Sequence, residues 1–311
     1  MIISELATFI ITFNRPAILR ETIRKVSSQT ACPSLILIMN NGDPVDSVES
    51  ALSRTDIVVT QHMMGYNAGP AAAAHVALTK LEQQGFQWIQ WVDDDDPPRI
   101  QNLNERLFRH LNDATTDSIG IIGPVGSHFN IHRGIAVRVT NEEILQNTSL
   151  ELQTVAGNQC MIINSAVVRA GCLPTKELFF GFEETNFCLK VLDKGFKIIV
   201  PCDLFSEYRQ LAGRWKLKDS DIRKIEIPSW RSYYSARNLI FMFLHEFKKP
   251  TTVCFIVARV LGRAVVSFFS KGFRRGTEET YFTVLAIFHG IFGHLGLTVK
   301  PVKKSTVIEG K

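Results

Sequence analysis

The sequence predicts an α/β fold, in which a mostly parallel sheet is flanked by helices and followed by a helical C-terminal extension. Three observations support this class. Short apolar runs rich in β-branched residues alternate with helical patterns over residues 6–124, as in successive βαβ units. These runs contain few polar residues, which is typical of strands buried on both faces of a sheet. Beyond Trp230 the strand pattern stops, and long apolar helical segments follow.

The first part of the chain contains five predicted strands and three predicted helices. The strands are apolar runs that end at polar or turn residues: Leu6–Thr12, Leu35–Met39, Ile57–Thr60, Trp88–Val92 and Ile119–Pro124. The helices have apolar or small residues at helical spacing: one begins at Pro16, and two span Pro70–Leu81 and Ile100–Leu111. Pro16 and Pro70 stand in first turns, where proline is tolerated.

The second part of the chain is less regular before it becomes helical. Residues 126–156 show no clear period, and we predict a loop or lid there. The strand Cys160–Ile163, the helix Glu184–Lys194 and the strand Phe196–Val200 complete the α/β region. Three apolar helices follow: Ser232–Phe247, Thr252–Phe269 and Glu279–Phe292. We therefore predict an α/β domain over residues 1–212, a linker over 213–229 and a helical region over 230–311.

Composition excludes several classes of protein. The chain has 311 residues, of which 45% are hydrophobic and 21% charged, as in a globular protein. Its net charge of +5 is too small to suggest nucleic acid as a partner. The six cysteines form no CxxC pair, which argues against a zinc site. The N-terminus has no basic segment before its apolar run, so we expect no export signal and reduced thiols in the cytoplasm.

The acidic run Asp93–Asp96 is the most informative motif. It follows the predicted strand Trp88–Val92 and precedes Pro97 and Pro98. Adjacent carboxylates repel one another, so this arrangement favours a bound cation. Mg²⁺ and Mn²⁺ bind carboxylate oxygens and commonly share them with substrate phosphates. The run therefore predicts a metal–diphosphate site at the carboxyl edge of the sheet. A solvated acidic turn is the alternative, because Asp and Pro are common in turns.

Several motifs in fixed order extend this prediction. They are ITFNRP (11–16), MNNGD (39–43), YNAGPAAA (66–73), WVDDDDPP (91–98), FFGFEETNFCLKVLDKGFKI (179–198) and SYYSARN (232–238). Together they resemble an inverting family-2 glycosyltransferase of the GT-A fold, of the bacterial rhamnosyl- and galactofuranosyl-type that builds cell-surface polysaccharide. The resemblance implies a UDP- or dTDP-sugar donor and a glycan or lipid-linked glycan acceptor. It also implies a Mn²⁺ or Mg²⁺ cofactor.

The resemblance also implies roles for single residues. Asp93 and Asp95 would hold the metal, and Asp94 would face the ribose or the sugar. The general base falls on Glu184, where many relatives have aspartate, with Glu183 as second candidate. The alternative is that both glutamates only cap a helix. The other implied donor-site residues are Thr12, Asn14, Arg15, Asn40, Asn67 and Gly69.

Four features depart from the family pattern or have a second explanation. Asn40 stands where relatives have an aspartate that reads the base, and an amide both donates and accepts. The region after Val200 lacks the usual metal-binding histidine, so either Glu207 or Asp203 replaces it or the third protein ligand is absent. Asn67 is also explained by ordinary turn chemistry. Gly157–Cys160 resembles an acceptor-side glycine strand, although a bulge explains it equally well.

The C-terminal helices predict contact with a membrane. Thr252–Phe269 is apolar but contains Arg259 and Arg263, and these fall with Arg274 in a stripe of roughly 60° on a continuous helix. Such a stripe is typical of a helix that lies in a membrane interface. Two arginines argue against a helix that crosses the bilayer. We predict a peripheral protein on the inner face of the cell membrane. Packed core helices, a true span and a homo-oligomer interface are the alternatives.

Two other functions fit parts of the sequence. A GT-A nucleotidyltransferase usually has a glycine-rich N-terminal loop, which ITFNRP lacks. A catalytically weak or inactive nucleotide-sugar-binding module is the second alternative, because Asn40 and Glu184 depart from the family pattern.

Overall fold

The computed structural model of the chain describes residues 1–112, 118–155, 160–216, 228–270 and 272–300. The chain forms two compact units. Unit 1 comprises Met1–Ile131 and Ile135–Lys224, and unit 2 comprises His132–Gly134 and Ile225–Lys311. Gly157–Gln159 and most of the predicted linker lie outside the described residues.

An eight-stranded sheet forms the centre of unit 1. The strands of the unit are β1 (Ile2–Thr12), β2 (Cys32–Asn40), β3 (Val58–Met63), β4 (Trp88–Asp93), β5 (Ile119–Ile122), β6 (Gly126–Asn130), β7 (Ile135–Val137), β8 (Ser149–Glu151), β9 (Thr154–Val155), β10 (Ile162–Asn164) and β11 (Lys197–Pro201). The order in the large sheet is β3-β2-β1-β4-β10-β5-β11-β8. Strands β1 to β4 pair in parallel, as do β5 and β11, whereas β8 and β10 pair antiparallel with their neighbours. The predicted mostly parallel sheet is confirmed.

Helices cover both faces of this sheet. They are α1 (Pro16–Ser27), α2 (Gly69–Gln83), α3 (Leu103–Asn112), α4 (Asn141–Gln146), α5 (Ser165–Arg169), α6 (Glu183–Asp193) and α7 (Cys202–Leu211), with short 3₁₀ turns at Val48–Ala51 and Lys176–Leu178. Alternate residues of β1 enter opposite cores. Phe9 packs in the cluster that contains Trp91 and Phe187, whereas Ile10 packs with Leu19 on the other face. Burial on both faces explains the unbroken apolar runs.

The segment predicted as a loop or lid is ordered secondary structure, so that prediction is wrong. Strands β7, β6 and β9 form a small antiparallel sheet, and α4 lies between β7 and β8. A capping box starts α4: Thr140 Oγ1 accepts from the backbone of Glu143, whose side chain accepts from the backbone of Thr140. Strands of two to five residues are too short to show a period of two in the sequence.

Unit 2 is helical, as predicted. Its helices are α8 (Ser229–Phe241), which continues as a π-helical turn over Met242–Glu246, α9 (Pro250–Ser270) and α10 (Phe273–Phe292). The SYYSARN motif lies on α8. Tyr233 Oη is 2.6 Å from His289 Nδ1 of α10, and buried Arg237 donates to the Gly296 carbonyl at 2.8 Å. The motif therefore holds the helices of unit 2 together.

Candidate functional site

Three neighbouring parallel strands end at the same edge of the large sheet. Thr12 at the end of β1 pairs in register with Asn40 at the end of β2, and Ile11 pairs with Asp93 at the end of β4. Because carboxyl ends of parallel strands form the usual ligand crevice of such folds, this edge is the candidate site. The polar residues singled out in the sequence at 12–15, 40–43 and 93–96 all follow these strands.

Arg15 balances two carboxylates of the acidic run. Its Nη1 donates to Asp95 Oδ2 at 2.6 Å, and its Nη2 lies 2.5 Å from Asp94 Oδ1 as an ion pair that lacks the alignment of a hydrogen bond. Thr12 Oγ1 donates to the other oxygen of buried Asp94 at 2.6 Å. Burial raises the pKa of Asp94, and the Thr12 hydrogen bond and the Arg15 charge oppose that rise. The structure therefore uses Thr12 and Arg15 to fix the acidic run.

Asp93 differs from the other three aspartates. Asp96 forms an ion pair with Arg99 at 3.2 Å, but no described contact pairs Asp93 with a cation. Protein atoms surround Asp93 on most sides, although part of its surface stays exposed. Desolvation, then the charge of Glu184, then that of Asp95 raise its pKa to about 8. Asp93 is therefore the carboxylate of the run that most needs an added cation.

Glu183 and Glu184 begin α6 and lie near Asp93. The charge of Glu184 raises the pKa of Asp93, and the charge of Asp93 raises the pKa of Glu183. Burial raises the pKa of both glutamates, and their mutual repulsion adds to the rise at Glu183. Glu183 is 5% exposed, and its Oε2 has no hydrogen-bond partner. Glu184 is partly exposed. The more accessible of the two carboxylates is therefore that of Glu184.

A strained turn presents these glutamates. Phe179 and Phe182, which flank the turn, both have left-handed backbone conformations, with φ values of 64° and 67°. Such a conformation costs on the order of 1–3 kcal/mol for a bulky residue and is found most often at functional sites. Gly69 at the start of α2 packs against this turn, because a Cβ there would lie 2.2 Å from the Phe179 carbonyl oxygen. Asn67 Oδ1 accepts from Gly69 N at 3.2 Å, which is ordinary turn chemistry.

Asn40 and Asn14 organise the loop after β2. Asn40 is fully buried; its Nδ2 donates to the Asp43 carbonyl at 2.7 Å, and its Oδ1 accepts from Gly42 N at 2.8 Å. Asn14 Oδ1 accepts from Asp43 N at 2.8 Å. The described contacts give Asn40 a structural role in this loop, and its predicted contact with the base stays a prediction.

Glu207 pairs with a basic residue of α3. Its carboxylate forms an ion pair with Arg106, whose Nη2 also donates to Asp203 at 2.6 Å. No described contact joins Glu207 to the aspartates, and its predicted place at the metal stays a prediction that would require release from Arg106. Within the described residues, no three His, Cys, Asp or Glu side chains are arranged to hold a metal by themselves. Asp93 and Asp95 still fit Mg²⁺ or Mn²⁺, which often takes one or two carboxylates and completes its shell with phosphates and water.

The sequence of this site matches a known family. The model of "Glycosyl transferase family 2" matches residues 8–169, which is more than half of the chain. The chain belongs to glycosyl transferase family 2. The matched region contains Thr12, Arg15 and the acidic run, whereas Glu183 and Glu184 lie beyond it.

Individual relatives within the family and its fold are distant. The galactofuranosyltransferase GlfT1 of Mycobacterium tuberculosis (strain CDC 1551 / Oshkosh) is 22% identical over 197 residues, which are 60% of this chain and 64% of that protein. The chain thus spans less than two thirds of this relative.

Two solved structures resemble the chain at 12% identity. GalNAc-T7 with UDP, GalNAc and Mn²⁺ superposes with a TM-score of 0.52 over 85% of this chain and 58% of that chain. The mannosyltransferase PcManGT from Pyrobaculum calidifontis, with GDP-Man and Mn²⁺, gives 0.48 over 93% and 87%. The predicted GT-A fold is confirmed.

The raised pKa of Asp93 predicts how stability depends on pH. The folded state keeps a proton on Asp93 up to about pH 8, whereas the unfolded chain loses it near its ordinary pKa of about 4. The stabilisation is complete below the unfolded pKa and is lost as pH rises through the folded pKa. Without metal, the free energy of unfolding should fall between about pH 4 and 8, by at most about 1.4 kcal/mol per pH unit for this proton.

Urea unfolding in EDTA across this pH range measures the effect. Asp93→Asn should flatten the slope, since the amide does not titrate. Asp56→Asn is the control: the hydrogen bond from Arg54 lowers the pKa of Asp56, so it titrates below this range. An Asp93→Asn slope equal to that of the wild type would contradict the raised pKa.

Proposed function

We propose that this protein is an inverting glycosyltransferase that moves a sugar from a nucleoside-diphosphate sugar to a hydroxyl of a glycan or lipid-linked glycan in cell-surface polysaccharide synthesis. One observation carries the proposal. In a member of glycosyl transferase family 2, Asp93 on β4 and Glu184 on α6 lie close enough for Glu184 to raise the pKa of Asp93. Two acidic groups from different elements meet at the carboxyl edge of the sheet.

We propose that Asp93 and Asp95 hold Mn²⁺ or Mg²⁺ together with the donor diphosphate. The ion would neutralise the charge that develops on the leaving diphosphate. Arg15 and Thr12 fix Asp94 and Asp95 through the contacts at 2.5–2.6 Å, so the carboxylates are held before the donor arrives. Mn²⁺ in GalNAc-T7 is consistent with this assignment.

Glu184 is the proposed general base. It takes the proton of the acceptor hydroxyl while that oxygen attacks the anomeric carbon, and the bond from this carbon to the diphosphate breaks on the opposite side. Burial raises the pKa of Glu184, which brings it closer to the pH at which a base works best. Glu183 is nearly inaccessible, and burial raises its pKa well above its usual range, so it fits a positioning role beside Glu184.

Nucleotide binding is the direct test of the donor. The family resemblance favours UDP- and dTDP-sugars, and we expect one of them to raise the unfolding temperature in Mn²⁺ but not in EDTA. A ligand at a hundredfold excess over its Kd adds about 2.7 kcal/mol. A scan of UDP-, dTDP- and GDP-sugars, with the free sugars as controls, measures this. The absence of any metal-dependent shift would contradict the donor assignment.

A non-catalytic nucleotide-sugar-binding module is the second candidate. Asn40 replaces the aspartate usual in relatives, and its amide is hydrogen-bonded within the loop after β2. Such a module would show the same thermal shift. Only an enzyme would release nucleoside diphosphate from the bound donor, so release measured beside the shift separates the two functions.

A further inference from the structure

Helix α9 of unit 2 has an exposed face without a charged residue. Its buried face is formed by Thr252, Val253, Ile256, Ala264 and Ser267. The residues of the exposed face recur at helical spacing. They are Thr251, Cys254, Phe255, Ala258, Gly262, Val265, Val266 and Phe269. Phe269 is 83% exposed and Val266 is 65% exposed. The exposed face of a helix in a soluble protein normally carries charged and polar residues, so this face needs another explanation.

Helix α10 continues the same surface. Its exposed residues at helical spacing are Phe273, Thr277, Tyr281, Val284, Phe288 and Ile291. The two helices meet near their connection, where the rings of Phe268 and Phe273 are 5.6 Å apart and Gly276 packs on Phe268. An open cavity of about 190 Å³ lies between them, lined by Leu261, Ala264, Val265, Phe268, Phe269 and Thr280. The exposed faces and this cavity form one outer apolar surface.

Basic side chains border the outer apolar surface. Arg263 on α9 and Arg274 on α10 are exposed beside the uncharged faces. Arg259, predicted to take part, is bound inside unit 2, where it donates to the carbonyls of Arg133 at 2.7 Å and Gly134 at 3.0 Å. Lys271 lies outside the described residues. An apolar surface with a basic margin is complementary to an anionic lipid surface.

The surface fits a membrane interface better than a membrane span. Among the described residues, α9 is the one helix long and apolar enough to cross a bilayer, with 21 residues, most of which are not buried. A crossing would place Arg259 and Arg263 near the bilayer centre, which is costly. An orientation in the plane of the interface places Arg263 near the lipid phosphates, while Arg259 keeps its hydrogen bonds to the carbonyls of Arg133 and Gly134.

We infer that the outer apolar surface of α9 and α10 binds the interface of an anionic bilayer, with its aromatic and aliphatic side chains among the upper acyl chains and Arg263 and Arg274 at the lipid phosphates. Anionic lipids are exposed on the cytoplasmic leaflet, so the protein binds the inner face of the cell membrane. The inference stands apart from the proposed transfer reaction, because the lipid surface needs no nucleotide or metal.

Vesicle flotation of the full-length protein tests the inference. The variant Val265→Asp/Val284→Asp places two charges on the outer apolar surface, at side chains that are 58% and 55% exposed. The matched control is Val58→Asp/Leu145→Asp in unit 1, at side chains that are 57% and 70% exposed. Vesicles of phosphatidylcholine alone and of equal parts phosphatidylcholine and phosphatidylglycerol are compared. Thermal unfolding and the nucleotide-sugar shift confirm that each variant is folded.

We expect wild type and control to float with the phosphatidylglycerol vesicles and less with phosphatidylcholine alone. The surface variant should lose at least about tenfold in partition, since buried apolar area supplies the salt-resistant part of binding. Equal flotation of the surface variant and the wild type would overturn the inference. Absence of vesicle binding by the wild type would also overturn it. If sedimentation equilibrium shows a dimer of the wild type that the surface variant abolishes, the surface is a contact between two copies of the chain and the inference is wrong.

Discussion

Glu184→Gln is expected to lower the rate of sugar transfer by about 10²–10⁴-fold, because the amide keeps the size of the side chain but cannot accept a proton. Binding of the donor should change little, since the proposed base acts on the acceptor hydroxyl. The fall should therefore appear in kcat at saturating donor. Release of nucleoside diphosphate in the presence and absence of acceptor measures it.

Two controls make this result specific. Glu183→Gln replaces the nearly inaccessible carboxyl and leaves the more accessible one, so we expect a smaller loss and little change in the pH profile, because burial raises the pKa of Glu183 well above its usual range and keeps it protonated. Glu177→Gln changes a glutamate of the preceding 3₁₀ turn and should leave transfer unchanged. A larger loss in Glu183→Gln than in Glu184→Gln would move the base to Glu183.

The sequence allowed the sheet and its helices to be predicted because burial on two faces leaves a strong signal. Strands β1, β2 and β4 are apolar runs that end in polar residues, and the structure places all three ends at one edge. Proline and glycine near the starts of α1 and α2 gave further local signals. The small sheet of β6, β7 and β9 left no such signal, because its strands are short.

The pairing inside the acidic run was not predictable from the sequence. Arg15 and Asp95 are eighty positions apart, and only the fold brings the guanidinium to the carboxylate. Four adjacent aspartates have no balancing charge nearby in the sequence, whereas in the structure Arg15 and Arg99 pair with three of them. Asp93 is therefore the aspartate of the run for which the described residues supply no balancing cation.

Two site predictions came from the family resemblance, which carries no information on the contacts of this chain. Asn40 was assigned to the base because relatives have a base-reading aspartate at its place, and in the structure its amide is hydrogen-bonded within the loop to Asp43. Glu207 was assigned to the metal in place of the usual histidine, and in the structure Arg106 on α3 pairs with it. Arg106 and Glu207 are 101 positions apart, so only the fold brings them together.

The turn that positions Glu183 and Glu184 could not be predicted from the sequence. Left-handed conformations are expected at Gly181, but not at Phe179 and Phe182. A bulky residue keeps such a conformation only where the surrounding structure holds it, and the packing of Gly69 on Phe179 supplies part of that restraint. The turn thus fixes the start of α6 against the start of α2.

Asp93→Asn is expected to lower transfer by about 10²–10³-fold, the loss typical when one group that stabilises transition-state charge is removed. The amide keeps the shape of the side chain but cannot hold a divalent cation by charge. The same change removes the repulsion from Glu184, so the metal-free variant should resist urea at least as well as the wild type at pH 8. Activity should fall while the stability of the apo protein does not.

The matched control lies three residues away in the same run. Asp96→Asn removes a carboxylate that is already balanced by Arg99 at 3.2 Å, so we expect transfer to stay within about tenfold of wild type and its Mn²⁺ dependence to be unchanged. Mn²⁺ titration of the nucleotide-sugar thermal shift gives a second measure, in which Asp93→Asn should lose the metal-dependent part. If Asp93→Asn and Asp96→Asn behave alike in both measurements, the run acts only through its total charge, and the proposed metal site at Asp93 is wrong.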